Sequence, residues 1–408
     1  MATPLPRLRT DLDFMPSPLS DRPGLCIRDP FRYSDATIIV PPFLVQALPL
    51  FDGQQTDLDL QAHLSRLAGE LIGSEVVRSL MDSLSQYGFL HDPEFEKMKE
   101  SKQRAFRQAA ERTAMHAGSA YPDQEAGLRQ WFTQFSADGA AAAGPAPAGE
   151  LLGLAAPHVS PEGGRQSYAA AYEGIGQEQA EKTFVILGTS HYGAPEKFGL
   201  TRKPFRTPLG ALPVDTALVD WLCDRGGSAV QIEDYCHSME HSIEFQCLFL
   251  QHRLVPGIRI LPILCGPLAE SLVTGRPPET NDAVRRFYEA LGELAAREGR
   301  RLFWILGIDL AHIGRRYGDP SAVRAEQGPM AQVRHADGER LERVCAGDSE
   351  GFFELVRPGH DELRWCGYSP LYTFLQVVPA ARGRVLHYEQ WNIDDASVVS
   401  FAGVEFRG

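Results

Sequence analysis

The chain has 408 residues, 43% hydrophobic and 23% charged, with 40 Lys plus Arg against 53 Asp plus Glu for a net charge of −13. That length supports two or three domains of ordinary globular composition. The acidic balance argues against nucleic acid or an anionic membrane as the main partner, because both demand clustered positive charge.

The N-terminal MATPLPRLRTDLDFMPSP lacks the apolar core of a secretory signal. The most apolar stretch, IIVPPFLVQALPLF (38–51), is too short and too broken by proline to span a bilayer. Seven cysteines, an odd number with no C-x-x-C pair, exclude a disulfide framework and a self-contained iron–sulfur motif. Together these features predict a cytoplasmic protein with reduced thiols.

ATIIVPPFLVQALPLF (36–51) reads as strand and turn, and FDG (51–53) marks a turn. Residues 56–90 are helical in period, with Leu60, Leu64, Leu67, Leu71, Val76, Leu80 and Leu84 on one face and Gly88 closing a second helix. Two short helices after a hairpin predict a small α+β, winged-helix-like module. In the layout FDGQQTDLDLQAHL … VVRSLMDSLSQYGFL it resembles the PqqD-like domains, which recognise peptides for radical-SAM enzymes. Residues 93–112 follow as a charged helix whose basic residues form a solvated face. The low-complexity stretch ADGAAAAGPAPAG (137–149) predicts a flexible loop.

From residue 150 the pattern becomes α/β. Strand-like runs (LLGLAAP, TFVILGT, IRILPILCG, RLFWILGID) alternate with helical ones (YAAAYEGIG, ALVDWLCD, SIEFQCLFLQHRL, DAVRRFYEALGELAAREG). Nearly continuous apolar strands predict a mostly parallel central sheet with helices on both faces. RVLHYEQWNI and SVVSFAGVEF then add an antiparallel edge.

Three strands share a grammar. LLGLAAPH ends at His158, FVILGTSH at His191 and LFWILGIDLAH at His312. Ligands of open α/β sheets bind at the carboxyl ends of strands, so these histidines can share one cleft. Convergent imidazoles point to a transition metal, whose commonest ligand they are. MEHSIEFQCLF places Glu240 and His241 at a helix start, where Ser242 and Glu240 suit the cap of the first turn and His241 is also placed to face the same cleft. Cys366 stands in a Gly-flanked turn before a helix, whose N-terminus is expected to favour its thiolate. GTSHYG (188–193) fails the spacing of the nucleophile elbow, and no phosphate-binding glycine motif is present. EGGRQSY (162–168) is a weak anion-binding candidate at a helix start.

From about residue 110 onward, seven motifs in order resemble the Memo family, including protein B of the AmmeMemoRadiSam system. They are RTAMHAGSAYP (112–122), AAPH (155–158), LGTSH (187–191), TPLGALPVD (207–215), EHSIEFQ (240–246), DLAH (309–312) and CGYSP (366–370). The resemblance moves the domain boundary to 107/108, giving an N-terminal module with a connecting helix (1–107) and a Memo-like domain (108–408) related in fold to class III extradiol dioxygenases. It implies His158, His191 and Cys366 as ligands of iron or copper, with zinc as a further candidate. It also implies His312 as the base and His241 as a lining residue.

The family pattern is not kept throughout. Its P-H-A-G-[YW] is here Pro157-His158-Val159-Ser160-Pro161, its second His after G-x-S is Tyr192, its S-x-D is Gly307-Ile308-Asp309, and its H-A-G-S-W-Y has Ala120 for Trp. The implied ligands survive while the substrate-facing shell has changed. Expected functions are metal-dependent redox chemistry linked to a radical-SAM system, a non-catalytic partner of a radical-SAM enzyme that binds a peptide or protein, or an extradiol-type dioxygenase. The substrate, a small molecule or a peptide, is not specified by these residues.

Overall fold

The computed structural model describes residues 2–19, 21–135, 144–254 and 257–408. The chain divides into two compact units, Met1–Gln108 and Ala109–Gly408.

In the first unit, Asp13–Pro16, Leu25–Arg28 and Thr37–Val40 form a three-stranded antiparallel sheet in that order, one strand more than the expected hairpin. Helices Asp57–Ala68 and Ser74–Gln86 follow in the chain. Thr56 and Asp59 cap the first reciprocally, and Gly69, left-handed at φ 73°, ends it. That break explains why Leu71, assigned above to the apolar face, is 86% exposed: it lies in the connector. Leu60, Leu64, Leu80 and Leu84 are buried with Ile27, Val40 and Phe89. Arg9 is fully buried; Asp29 accepts two of its N–H groups at 3.1 Å each, and the Gly88 carbonyl accepts another at 2.9 Å.

The second unit is built on a nine-stranded sheet. In chain order its strands are β1 (Leu151–Ala156), β2 (Thr183–Thr189), β3 (Phe198–Leu200), β4 (Val230–Ile232), β5 (Arg259–Cys265), β6 (Leu302–Gly307), β7 (His312–Gly314), β8 (Arg382–Asn392) and β9 (Ser397–Arg407). The spatial order is β4-β3-β5-β2-β6-β1-β9-β7, with β8 pairing to β9. The central β5, β2, β6 and β1 run parallel, and antiparallel pairs lie outside them, with β3 on β5 at one side and β9 on β1 at the other. This is the expected α/β architecture, including its antiparallel C-terminal edge.

Register sets up the site. Gly307 at the end of β6 stands opposite both Gly188 of β2 and Ala156 of β1. Three parallel strands therefore end level, and the residues that follow them leave the sheet together. Glycine permits the next layer to approach: a Cβ on Gly188 would lie 2.5 Å from Ser242 Oγ and 2.6 Å from Ile243 Cγ1. The segment just before helix Glu244–Arg253 thus packs directly on the strand ends. Of the 137–149 loop expected from sequence, residues 137–143 lie outside the described residues. Among the described residues no helix is long and apolar enough to cross a membrane.

Candidate metal centre

His158 follows β1 and is 1% exposed. Its backbone N–H donates to Asp309 Oδ1 at 3.0 Å, and its Nδ1–H donates to the Gly307 carbonyl at 2.9 Å. That bond fixes the tautomer and leaves Nε2 as the free lone pair. Cys366 Sγ lies 3.2 Å from that Nε2. Burial, then the neighbouring His191, holds the His158 pKa well below the usual imidazole range, so the ring is neutral and able to ligate.

His191 follows β2. Both its backbone N–H and its Nδ1–H donate to Glu240, at 2.8 and 3.0 Å. Burial works against charge on this ring, but the Glu240 carboxylate and then Cys366 outweigh it and raise its pKa well above the ordinary value. Glu240 is itself 1% exposed; burial is overcome by His191 and His241, which keep its carboxyl well below the usual range. A buried carboxylate holding the Nδ1 of an imidazole is the arrangement that orients histidine ligands in metal sites.

The ligand atoms of His158, His191 and Cys366 lie within 4.8 Å of one another. Among the described residues two further groups meet the same criterion and share members with it, His191–Glu240–His241 and Asp309–His312–Cys366. In the first of these, Glu240 is already committed to its histidines, which makes it a support rather than a free donor. The donor set of two imidazoles and one thiol suits a transition metal. The histidines retain access to solvent, with the His191 and His241 side chains each 28% exposed.

The structure brings all five sequence-derived residues to this cleft. His241 gives its backbone N–H to Glu240 Oε1 at 2.9 Å and stacks on His191 with ring centroids 4.9 Å apart. His312 opens the short strand β7 rather than standing directly at the end of β6. Its Nδ1–H donates to the Leu310 carbonyl at 2.9 Å, and burial pushes its pKa down to about 4. It is therefore an unprotonated imidazole near neutral pH.

Two expectations are corrected. Ser242 and Glu240 do not cap helix Glu244–Arg253, which has no side-chain cap; Glu240 accepts from the histidine segment and Ser242 Oγ donates to the Thr189 carbonyl at 2.7 Å. Nor is the Cys366 thiolate favoured as expected. Burial pushes its thiol up, against a smaller lowering by His191.

Asp309, Glu244 and His116 were not identified from sequence, and Glu240 was read there only as a helix cap. Burial raises the Asp309 carboxyl to about 7 while it accepts N–H bonds from His158 and Val159. Glu244 accepts from the backbone of Met115 and His116 and from the side chains of His116 and Tyr121, and forms a buried ion pair with Arg112. It thereby ties the HAGS segment to the cleft wall, where His116 and His241 lie with centroids 5.6 Å apart. The available signal was the density of acids beside histidines in MEHSIEF and DLAH.

Known proteins are similar in sequence to much of this chain. Residues 112–405 match the family model described as Memo-like protein. A MEMO1 family protein of Aquifex aeolicus is 26% identical over 385 residues, covering 93% of this chain and 95% of that protein, so the likeness extends into the N-terminal unit. One from Thermus thermophilus is 25% identical over 329 residues, covering 80% of this chain and 91% of its own. One from Thermococcus kodakarensis is 28% identical over 261 residues, covering 62% and 85%.

Proposed function

Because the chain belongs to the Memo family, we propose that its α/β unit holds a transition-metal ion on His158, His191 and Cys366. We propose further that the ion serves redox chemistry linked to a radical-SAM system of the AmmeMemoRadiSam type. The observation that carries the metal assignment is the commitment of each ligand imidazole through Nδ1, to Gly307 and to Glu240, with the Cys366 sulfur beside them. Such a set suits iron or copper, with zinc as a further candidate. Bound iron or copper would supply electron transfer, and bound zinc would supply Lewis acidity.

The protein's own residues have separate tasks. His158 is already neutral, whereas His191 and Cys366 carry protons that loading must displace, so metal affinity falls in acid. His312, unprotonated and fixed through Nδ1, serves as the base, and His241 lines the approach. Stoichiometric iron or copper is expected in anaerobically purified full-length protein, and its loss in His158→Ala and Cys366→Ala. Wild-type protein without bound metal would overturn the assignment.

An extradiol-type dioxygenase is the second reading. It needs a carboxylate as third ligand, and Asp309 Oδ2, 3.5 Å from His158 Nε2, is the group that favours it. Under that reading Asp309→Asn removes the metal and Cys366→Ala does not; under the first reading the reverse holds.

For the N-terminal unit we propose a PqqD-like role, the docking of an extended peptide or protein segment destined for a radical-SAM enzyme. Thr37–Val40 is one of the two outer strands of its sheet. Beside it opens a groove of about 600 Å³ lined by Ile38, Val40, Leu44, Val76, Leu80 and Tyr87. A free strand edge next to apolar pockets suits strand addition. Ile38→Asp is expected to abolish co-purification with the radical-SAM enzyme; retention by the variant, or no capture by wild type, would contradict the role.

A further inference from the structure

Helix Met330–Cys345 carries a carboxylate with no surface at all: Asp337 is 0% exposed. Three uncharged groups donate to it. Trp365 Nε1–H reaches Oδ1 at 2.7 Å, while the Tyr388 and Ser400 hydroxyls reach Oδ2 at 2.8 and 2.6 Å. Two of these donors belong to the scaffold of the metal cleft. Trp365 immediately precedes Cys366. Ser400 holds the segment before His312: its Oγ accepts the Ala311 N–H at 2.9 Å and its carbonyl accepts the Leu310 N–H at 2.8 Å. The Leu310 carbonyl in turn fixes His312 Nδ1 at 2.9 Å.

The loop leading into Cys366 needs such support. His360, Asp361 and Arg364 all have φ between 54° and 64°, a left-handed backbone that costs side-chain-bearing residues energy and persists only where surroundings impose it. The same helix supplies a second restraint one turn on. Arg340 Nη1–H donates to Asp361 Oδ1 at 2.7 Å, and Asp361 Oδ2 accepts the Trp365 N–H at 2.6 Å. The strained loop is therefore gripped from behind at Asp361 and at the Trp365 indole, by two residues of one helix.

We propose that Asp337 is a positioning residue for the cleft: through Trp365 and Ser400 it sets the placement of Cys366 and His312 relative to the two ligand histidines. It touches no reacting atom. Its bearing on metal binding rests on the assignment made above, but its hold on Cys366 does not.

The test therefore begins with metal-free, full-length protein. Alkylation by iodoacetamide is followed peptide by peptide, using the fully buried Cys247 and Cys265 as internal references for global opening. Asp337→Ala is expected to speed alkylation of Cys366 about tenfold relative to those references, the effect on local opening of losing a charge-assisted hydrogen bond. Asp337→Asn, which keeps an acceptor for the indole, is expected to restore most of the protection. Tyr388→Phe, which removes a bond on the side away from Cys366, is expected to leave the rate near wild type. Should Asp337→Ala fail to fold, Trp365→Phe removes the same bond while keeping an aromatic ring and is expected to reproduce the Cys366 effect.

An unchanged Cys366 rate, or an equal rise at Cys247 and Cys265, would overturn the proposal. Cobalt(II) titration then addresses the link to the metal. Wild type is expected to show a sulfur-to-cobalt absorption band, and Asp337→Ala a weaker band with about tenfold lower affinity. Absence of the band in wild type would remove the metal assignment while the alkylation ratios still decide the role of Asp337.

Discussion

Glu240→Gln exchanges one carboxylate oxygen for an NH₂ group and removes one charge where the side chain is 1% exposed. Oε2 accepts the His191 N–H at 2.8 Å, while Oε1 accepts His191 Nδ1–H at 3.0 Å and the His241 N–H at 2.9 Å. A single amide oxygen cannot serve both sides, so at least one buried N–H loses its acceptor, at about 1–3 kcal/mol. Breaking a buried ion pair costs about 3–5 kcal/mol, and the retained hydrogen bonds keep Gln at the low end. A total near 3 kcal/mol is therefore expected, subject to pH. The Glu240 carboxyl is depressed, so its contribution is complete above pH 4.5 and is lost as pH falls through the lowered value. The His191 pKa is raised, so its contribution is complete below pH 6.5 and is lost as pH rises through the raised value. The deficit of the variant is thus largest between these limits and narrows in base. All five tryptophans lie within the α/β unit, so their fluorescence in urea reports that unit alone. A variant whose urea midpoint at about pH 6 equals the wild type's would refute this electrostatic description.

His312 has a pKa lowered to about 4, so metal-free protein should lose stability as pH falls from 6.5 toward 4. His312→Gln is expected to flatten that acid limb in pH-resolved urea titrations. Gly188→Ala would set a methyl group 2.5 Å from Ser242 Oγ and is expected to cost about 1–3 kcal/mol by overpacking; tryptophan-monitored melting should show it together with weaker cobalt binding. Arg9→Met leaves Asp29 buried without its guanidinium, at about 3–5 kcal/mol. Hydrogen exchange should rise across residues 2–108 while the tryptophan transition of the other unit stays unchanged.

The sheet was legible because its four central strands are nearly continuous apolar runs, and the level ends of three of them explain the repeated strand-then-histidine grammar. What sequence could not supply was the identity of the supports. Glu240 and Ser242 have the chemistry of helix caps, and only the close approach at Gly188 shows that they face the strand ends instead. Cys366 was legible by its place before a helix, but its burial, which raises the thiol pKa, depends on packing from distant segments. The N-terminal helices were correctly spaced by leucines, yet Leu71 was misassigned because a periodic pattern does not reveal where Gly69 breaks it. Asp337 carries no local signal, since its three donors come from 28, 51 and 63 residues away.

X-ray absorption at the zinc edge of zinc-loaded protein tests the His158–His191–Cys366 centre most directly. Expected are one sulfur at about 2.3 Å and two imidazole nitrogens at about 2.0–2.1 Å, with the sulfur absent in Cys366→Ala. A shell of oxygen and nitrogen alone in wild type, or a sulfur that survives Cys366→Ala, would contradict that centre.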